Sequence, residues 1–130
     1  MVERSPPIID SVAKACALFA PVLADAAEER LCIAHLTAAR RLIGVQICSS
    51  GRAETIALPI RDIVADALRR GSRGLVLAHN HPGGNPAPST ADLEATRQLA
   101  RVVAPLGIRL WDHLILAGGR WQSLRALALV

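Results

Sequence analysis

The chain has 130 residues and a mass of 13.8 kDa, the size of one domain with a real hydrophobic core. Apolar residues make up 52% and the mean hydropathy is +0.33, which excludes intrinsic disorder, and no apolar run approaches the ~18 residues of a membrane span. The net charge of +4 permits an anionic partner without requiring one, and a chain with one Phe, two Trp and no Tyr lacks the stacking platforms of single-strand binders. Fourteen of the 15 basic residues are Arg and 23 residues are Ala, a usage that a GC-rich genome suffices to explain. Asp10, Lys14, Pro21 and Asp25 interrupt the most apolar N-terminal stretch, and no signal-peptide cleavage pattern follows it. The expectation is a cytoplasmic protein with no membrane association. Cys16, Cys32 and Cys48 form no CxxC pair and are odd in number, so they read as buried thiols.

Residues 1–7 read as a loose lead-in to a single domain over 1–130. Apolar residues at Ile8, Val12, Cys16, Phe19 and Leu23 predict a helix from Ile8 to about Ala27. Strands are expected at 30–37 and 41–49, joined by a hairpin at Thr37–Arg40, and a third at 53–58 after Ser49-Ser50-Gly51. Together they suggest an antiparallel meander. Pro59 opens a helix over 60–70 with Ile63, Val64, Ala67 and Leu68 on one face; Arg69 and Arg70 suit its last turn and Gly71 stops it. The run Gly74–Ala78 predicts a strand buried on both faces. A loop rich in Gly and Pro follows from His79 to Pro88. A helix at 90–104 would turn Leu93, Thr96, Leu99, Ala100 and Val103 inward, before a strand at 108–116 and a short one near Trp121. The fold class is α/β, a mixed sheet flanked by helices.

The chemistry concentrates in Ala78-His79-Asn80-His81-Pro82-Gly83-Gly84-Asn85-Pro86-Ala87-Pro88-Ser89-Thr90-Ala91-Asp92. Histidines at i and i+2 on extended chain point to the same side, so both imidazoles can reach one ion. Asp92, at the start of the next helix, can bring a carboxylate to the same point. Two His and one Asp are ligands that zinc accepts, with a fourth tetrahedral position left for water, as in catalytic sites. Ser89-Thr90-Ala91-Asp92 is also a capping box, and the two roles can coexist. Two look-alikes fail. Nucleases named for HNH space those residues far apart, and a zinc deaminase needs H-x-E and P-C-x-x-C, whereas no cysteine lies after Cys48.

The run His-x-His-Pro-x-Gly, then Ser and an Asp three later, resembles the JAMM signature of JAB/MPN-type metalloproteins. It is closer still to their RadC-like bacterial branch, which is similar also in Arg61-Asp62-Ile63 and in Asp112-His113-Leu114-Ile115. The resemblance spans roughly residues 10–130. It implies a JAB/MPN-like (cytidine-deaminase-like) single domain with one zinc per chain, held by His79, His81 and Asp92. It further implies a catalytic glutamate at the start of the first strand. Glu29 fits, with Glu28 as the neighbouring alternative under a one-residue slip; without the resemblance both would read as surface carboxylates.

The implied reaction is hydrolysis of a peptide, isopeptide or other amide. Glu29 would take a proton from zinc-activated water and pass it to the leaving amine, while Ser89 donates to the oxyanion. His113 and Asp112 are candidates for supporting the ligands, though a satisfied core pair is the alternative, and His35 reads as structural. The usual serine after the first Pro of the loop is Gly83 here, beside Gly84, which loosens the loop and leaves the ligands untouched. The RadC-like branch usually carries a preceding helix-hairpin-helix module; with 28 residues before Glu29, that module is not expected here. A catalytically silent JAB/MPN scaffold is the competing reading, although this chain keeps every ligand. A DNA-repair accessory role draws no support from the residues, and homo-oligomerisation stays open.

Overall fold

The computed structural model describes residues 5–49 and 58–130. Five strands form one mixed sheet: β1 (Arg30–Leu36), β2 (Leu42–Ser49), β3 (Gly74–Asn80), β4 (Arg109–Ala117) and β5 (Arg120–Ser123), in the order β2-β1-β3-β4-β5. Three helices flank it: α1 (Val12–Leu23), α2 (Ile60–Arg70) and α3 (Thr90–Val103), the last followed by a short 3-10 turn. Only β3 and β4 run parallel, because α3 carries the chain back across the sheet between them; every other pair is antiparallel. This is the mixed α/β sandwich that the resemblance implied. No helix among the described residues is long and apolar enough to cross a membrane.

The alternation of side chains along β1 and β3 divides the core into two layers. On one face, Cys32, Ala34, Leu36, Val76 and Ala78 pack under Ala15, Phe19 and Leu23 of α1. On the other, Leu31, Ile33, Leu75 and Leu77 pack under Ile63 and Ala67 of α2 and Leu99 and Val103 of α3. All seven residues of β3 are buried, as its unbroken apolar run demands of a central strand.

Several boundaries differ from those read in the sequence. Helix α1 begins at Val12, because the Ser11 side chain accepts from the Lys14 N–H and caps it. Ile8 instead bridges Arg41 and stays exposed, as does Val12. Leu68 of α2 faces solvent, and only Ile63 and Ala67 of its expected face are fully buried. Of the cysteines Cys32 alone is fully buried; Cys16 and Cys48 are partly exposed. Burial pushes the Cys32 thiol up to about 11, so it is inert at neutral pH. The expected third strand at 53–58 falls, apart from Leu58, outside the described residues.

The strand expected to stop at Ala78 continues through His79 and Asn80, so these are strand residues and not part of the loop. Pairing explains the extension. His79 lies opposite Leu31 and Ile115, and Asn80 opposite Leu116, so neighbours on both sides hold the backbone straight. The His81 N–H donates to the Leu116 carbonyl (2.8 Å), which carries the order just beyond the strand.

A second feature decides what faces what. Leu75 pairs with Leu110, but Val76 pairs with Asp112, so Trp111 is an extra, bulged residue in β4. The bulge shifts the alternation by one. Past it, His113 lies opposite Leu77 and shares the α3 face with His79, whereas uninterrupted alternation from Leu110 would send it to the α1 face.

Candidate metal centre

Glu29, His79, His81 and Asp92 converge at the C-terminal end of β3. The His79 and His81 Nε2 atoms stand 2.8 Å apart. Asp92 Oδ2 lies 3.4 Å from His81 Nε2 and its Oδ1 lies 3.7 Å from His79 Nε2. Glu29 Oε1 is 3.9 Å from His79 Nε2. Among the described residues, Glu29, His79 and His81 each offer one ligand atom, all within 4.8 Å of one another. A tetrahedral zinc ion with bonds of about 2.0–2.1 Å keeps its ligand atoms about 3.3 Å apart, inside the range of these separations. The donor set of two imidazoles and two carboxylates suits the same ion.

The tautomer of His79 can be read from its partners. The Thr96 hydroxyl donates to the Asp92 carbonyl (2.6 Å), so its oxygen accepts from His113 Nδ1–H (2.7 Å). His113 Nε2 then carries a lone pair and accepts from His79 Nδ1–H (2.6 Å). His79 Nε2 is left with its lone pair aimed at the site. His81 gives the same result by a shorter route: its Nδ1–H donates to the Asn85 carbonyl (2.9 Å). Two ring lone pairs facing each other at 2.8 Å require positive charge between them, either a proton or a metal cation.

The environment separates the titrations of these groups. Burial lowers His79 to about 4, and lowers His113 well below the ordinary histidine value. The hydrogen bond that protonated His81 donates to Asp92 raises His81. Burial raises Glu29. Burial acts the same way on Asp92, but the His81 hydrogen bond and the Ser89 backbone N–H outweigh it and hold that carboxyl well below the carboxylate range.

The register at Glu28 and Glu29 is set by Asn80. The Asn80 carboxamide oxygen accepts from the Arg30 N–H (2.6 Å), and its NH₂ donates to the Glu28 carbonyl (2.9 Å) and the Ala26 carbonyl (3.3 Å). The chain is thus clamped on both sides of Glu29, whose side chain is buried in the site while Glu28 points to solvent. In the sequence Thr96 is one member of an inward stripe, and a hydroxyl on an otherwise apolar helix face is its only signal. For Asn80 there was none beyond its place between two histidines.

Ser89 is exposed, and its Oγ accepts from the Asp92 N–H (3.0 Å) while Asp92 Oδ2 accepts from the Ser89 N–H (3.0 Å). Both halves of the capping box are present, and the same Asp92 carboxylate faces the two imidazoles. The Ser89 O–H is left to donate elsewhere. Asp112 does not enter the site: it accepts from the His113 and Arg125 N–H groups and from Ser123 Oγ on the other face of the sheet. His35 is buried among Ser72 and Gln46, with Asp66 at 3.4 Å, far along β1 from the cluster.

A sheet that ends in two imidazoles, covered by a helix that supplies a carboxylate, gives this small mixed α/β domain a possible metal site. The family model of the RadC-like JAB domain matches residues 9–129, so the chain belongs to that family. It is 44% identical over 121 residues to the UPF0758 protein tlr1707 of Thermosynechococcus vestitus, covering 92% of this chain and 48% of that one. It is 43% identical over 127 residues to the UPF0758 protein alr2351 of Nostoc sp., covering 97% and 51%. A UPF0758 protein of Aquifex aeolicus is 37% identical over 101 residues, covering 78% and 44%. The chain spans about half the length of the curated relatives it matches.

Proposed function

We propose that this domain is a zinc-dependent amide hydrolase of the JAMM type, acting on a peptide or isopeptide bond. The observation that carries the reading is the pair of imidazole lone pairs, both fixed by hydrogen bonds on the far side of each ring and both directed at one point between two carboxylates. A purely structural histidine pair has no need of that polarity. His79, His81 and Asp92 would hold the ion, which would polarise an amide carbonyl and lower the pKa of water toward ~7.

The chain's own residues supply the rest. Glu29 reaches the site from the residue before β1, on a segment that Asn80 keeps from shifting. Its buried carboxylate is the group placed to accept a proton from the attacking water and return it to the leaving amine. Ser89 keeps a free hydroxyl hydrogen at the first turn of α3, beside the Asp92 backbone, and is the candidate oxyanion donor.

Metal analysis of protein purified without chelator tests this reading. It should give about one zinc per chain, lost in His79→Ala and His81→Ala. Cleavage of a peptide and isopeptide library should fall by ~10²–10⁴-fold in Glu29→Gln with the metal retained. A wild-type protein that takes up no zinc overturns the proposal.

A further inference from the structure

The α1 face of the sheet carries a second concave site that the metal centre does not use. Between the start of α1 and the bulge in β4 lies a cavity of about 280 Å³, lined among others by Ser11, Val12, Arg40, Trp111 and Arg125. Its size is close to the lower bound for small-molecule sites, about 300 Å³. Val76 and Asp112 form its floor on the α1 face, so the sheet itself separates it from His79 and Asp92.

Its charge is unusual. Three guanidinium groups gather on one indole: the Cζ atoms of Arg40, Arg109 and Arg125 lie 3.2, 3.9 and 5.5 Å from the Trp111 ring centre. None of the three makes an ion pair among the described residues. Both nearby carboxylates are already engaged. Asp10 pairs with Lys14 (2.8 Å), and Asp112 accepts from two backbone N–H groups and Ser123. Like charges this close, near or within a Debye length of about 8–10 Å, repel unless an anion joins them.

Arg40 is held at φ 65°, a left-handed conformation that a non-glycine residue adopts at a cost, by hydrogen bonds from its own N–H to the Thr37 carbonyl and from the Ile9 N–H to its carbonyl. The first turn of α1 adds backbone N–H groups, of which Ser11 satisfies that of Lys14. The Arg40 and Arg125 guanidinium groups line the cavity with one long bond each, to the Asp10 and Trp111 carbonyls (3.4 Å), and guanidinium forks beside helix N–H groups suit a tetrahedral oxyanion with several acceptors.

We propose that this cavity binds the phosphate group of a small phosphorylated ligand through Arg40, Arg125 and the N-terminus of α1. The test is calorimetric titration of the full chain with inorganic phosphate and with pyrophosphate, at constant ionic strength. Saturable one-to-one binding is expected. Affinity should drop about tenfold or more in Arg40→Gln/Arg125→Gln, while Arg97→Gln/Arg101→Gln, which removes the same two charges from the exposed side of α3, leaves it within about twofold. Arg40→Lys/Arg125→Lys should fall between, since it keeps the charge and loses the forks. Should the double variant fail to fold, Arg125→Gln alone, at an exposed position, carries the comparison. Non-saturable binding, or equal loss in Arg97→Gln/Arg101→Gln, overturns the proposal. So does a DNA duplex that binds more tightly than pyrophosphate through the same arginines.

Discussion

Thr96 shows how much one hydroxyl can decide. It is fully buried on α3, donates to the Asp92 carbonyl and accepts from His113, and that fixes which nitrogen of His79 carries the proton. Thr96→Val keeps the shape and removes the link, so His113 is free to adopt the other tautomer. Zinc affinity, measured by competition with a chromogenic chelator, should drop about 10–100-fold, while Thr96→Ser should restore most of it. An unchanged affinity in Thr96→Val would show that ring polarity does not matter to the site. The ligand candidates themselves were legible from the sequence, because the i, i+2 spacing on extended chain and the Ser-x-x-Asp run are local patterns. Thr96 and Asn80 were not, because their partners lie 17 and about 50 residues away.

At the scale of the element, the N-terminus of α3 serves two ends. Its capping box satisfies two backbone N–H groups and at the same time orients Asp92 toward the imidazoles. Ser89→Ala should lower stability by about 1 kcal/mol, read as a shifted urea midpoint at constant slope. The strands and helices were largely visible as periodic patterns, and their errors have a common cause. Apolar spacing extends α1 back to Ile8, because it says nothing about where Ser11 caps. Strand β3 was ended at Ala78 because histidines next to a Gly- and Pro-rich stretch look like loop, whereas pairing with β1 and β4 keeps them in line. The bulge at Trp111 had no local signature at all.

At the scale of the molecule, the sheet divides two chemistries. The α3 face gathers imidazoles and carboxylates, and the α1 face gathers guanidinium groups around Trp111. The buried histidines give the fold a pH dependence. In chelator-treated protein His35, His79 and His113 are held neutral by burial, with folded pKa values below the unfolded 6.5. Between the two values the unfolded chain binds more protons, so stability is full above about pH 6.5 and is lost as pH falls toward 4. His79, shifted to about 4, contributes on the order of 3 kcal/mol to this loss. His81 and Glu29, both raised, oppose it in part. Urea midpoints at pH 7 and pH 4.5 should therefore differ, with the acid value lower; equal midpoints would contradict neutral burial of the three rings.

The sequence by itself determined the α/β class, the central buried strand and the metal-site candidates, because each rests on spacing within one segment. It also carried the family, through a motif whose residues are close in the chain. Only the tertiary structure decided that Glu29 and not Glu28 faces the site, that His113 lies behind His79, and that three arginines surround one indole. Each of those depends on register between strands far apart in sequence, and a shift of one residue moves a side chain to the opposite face of the sheet.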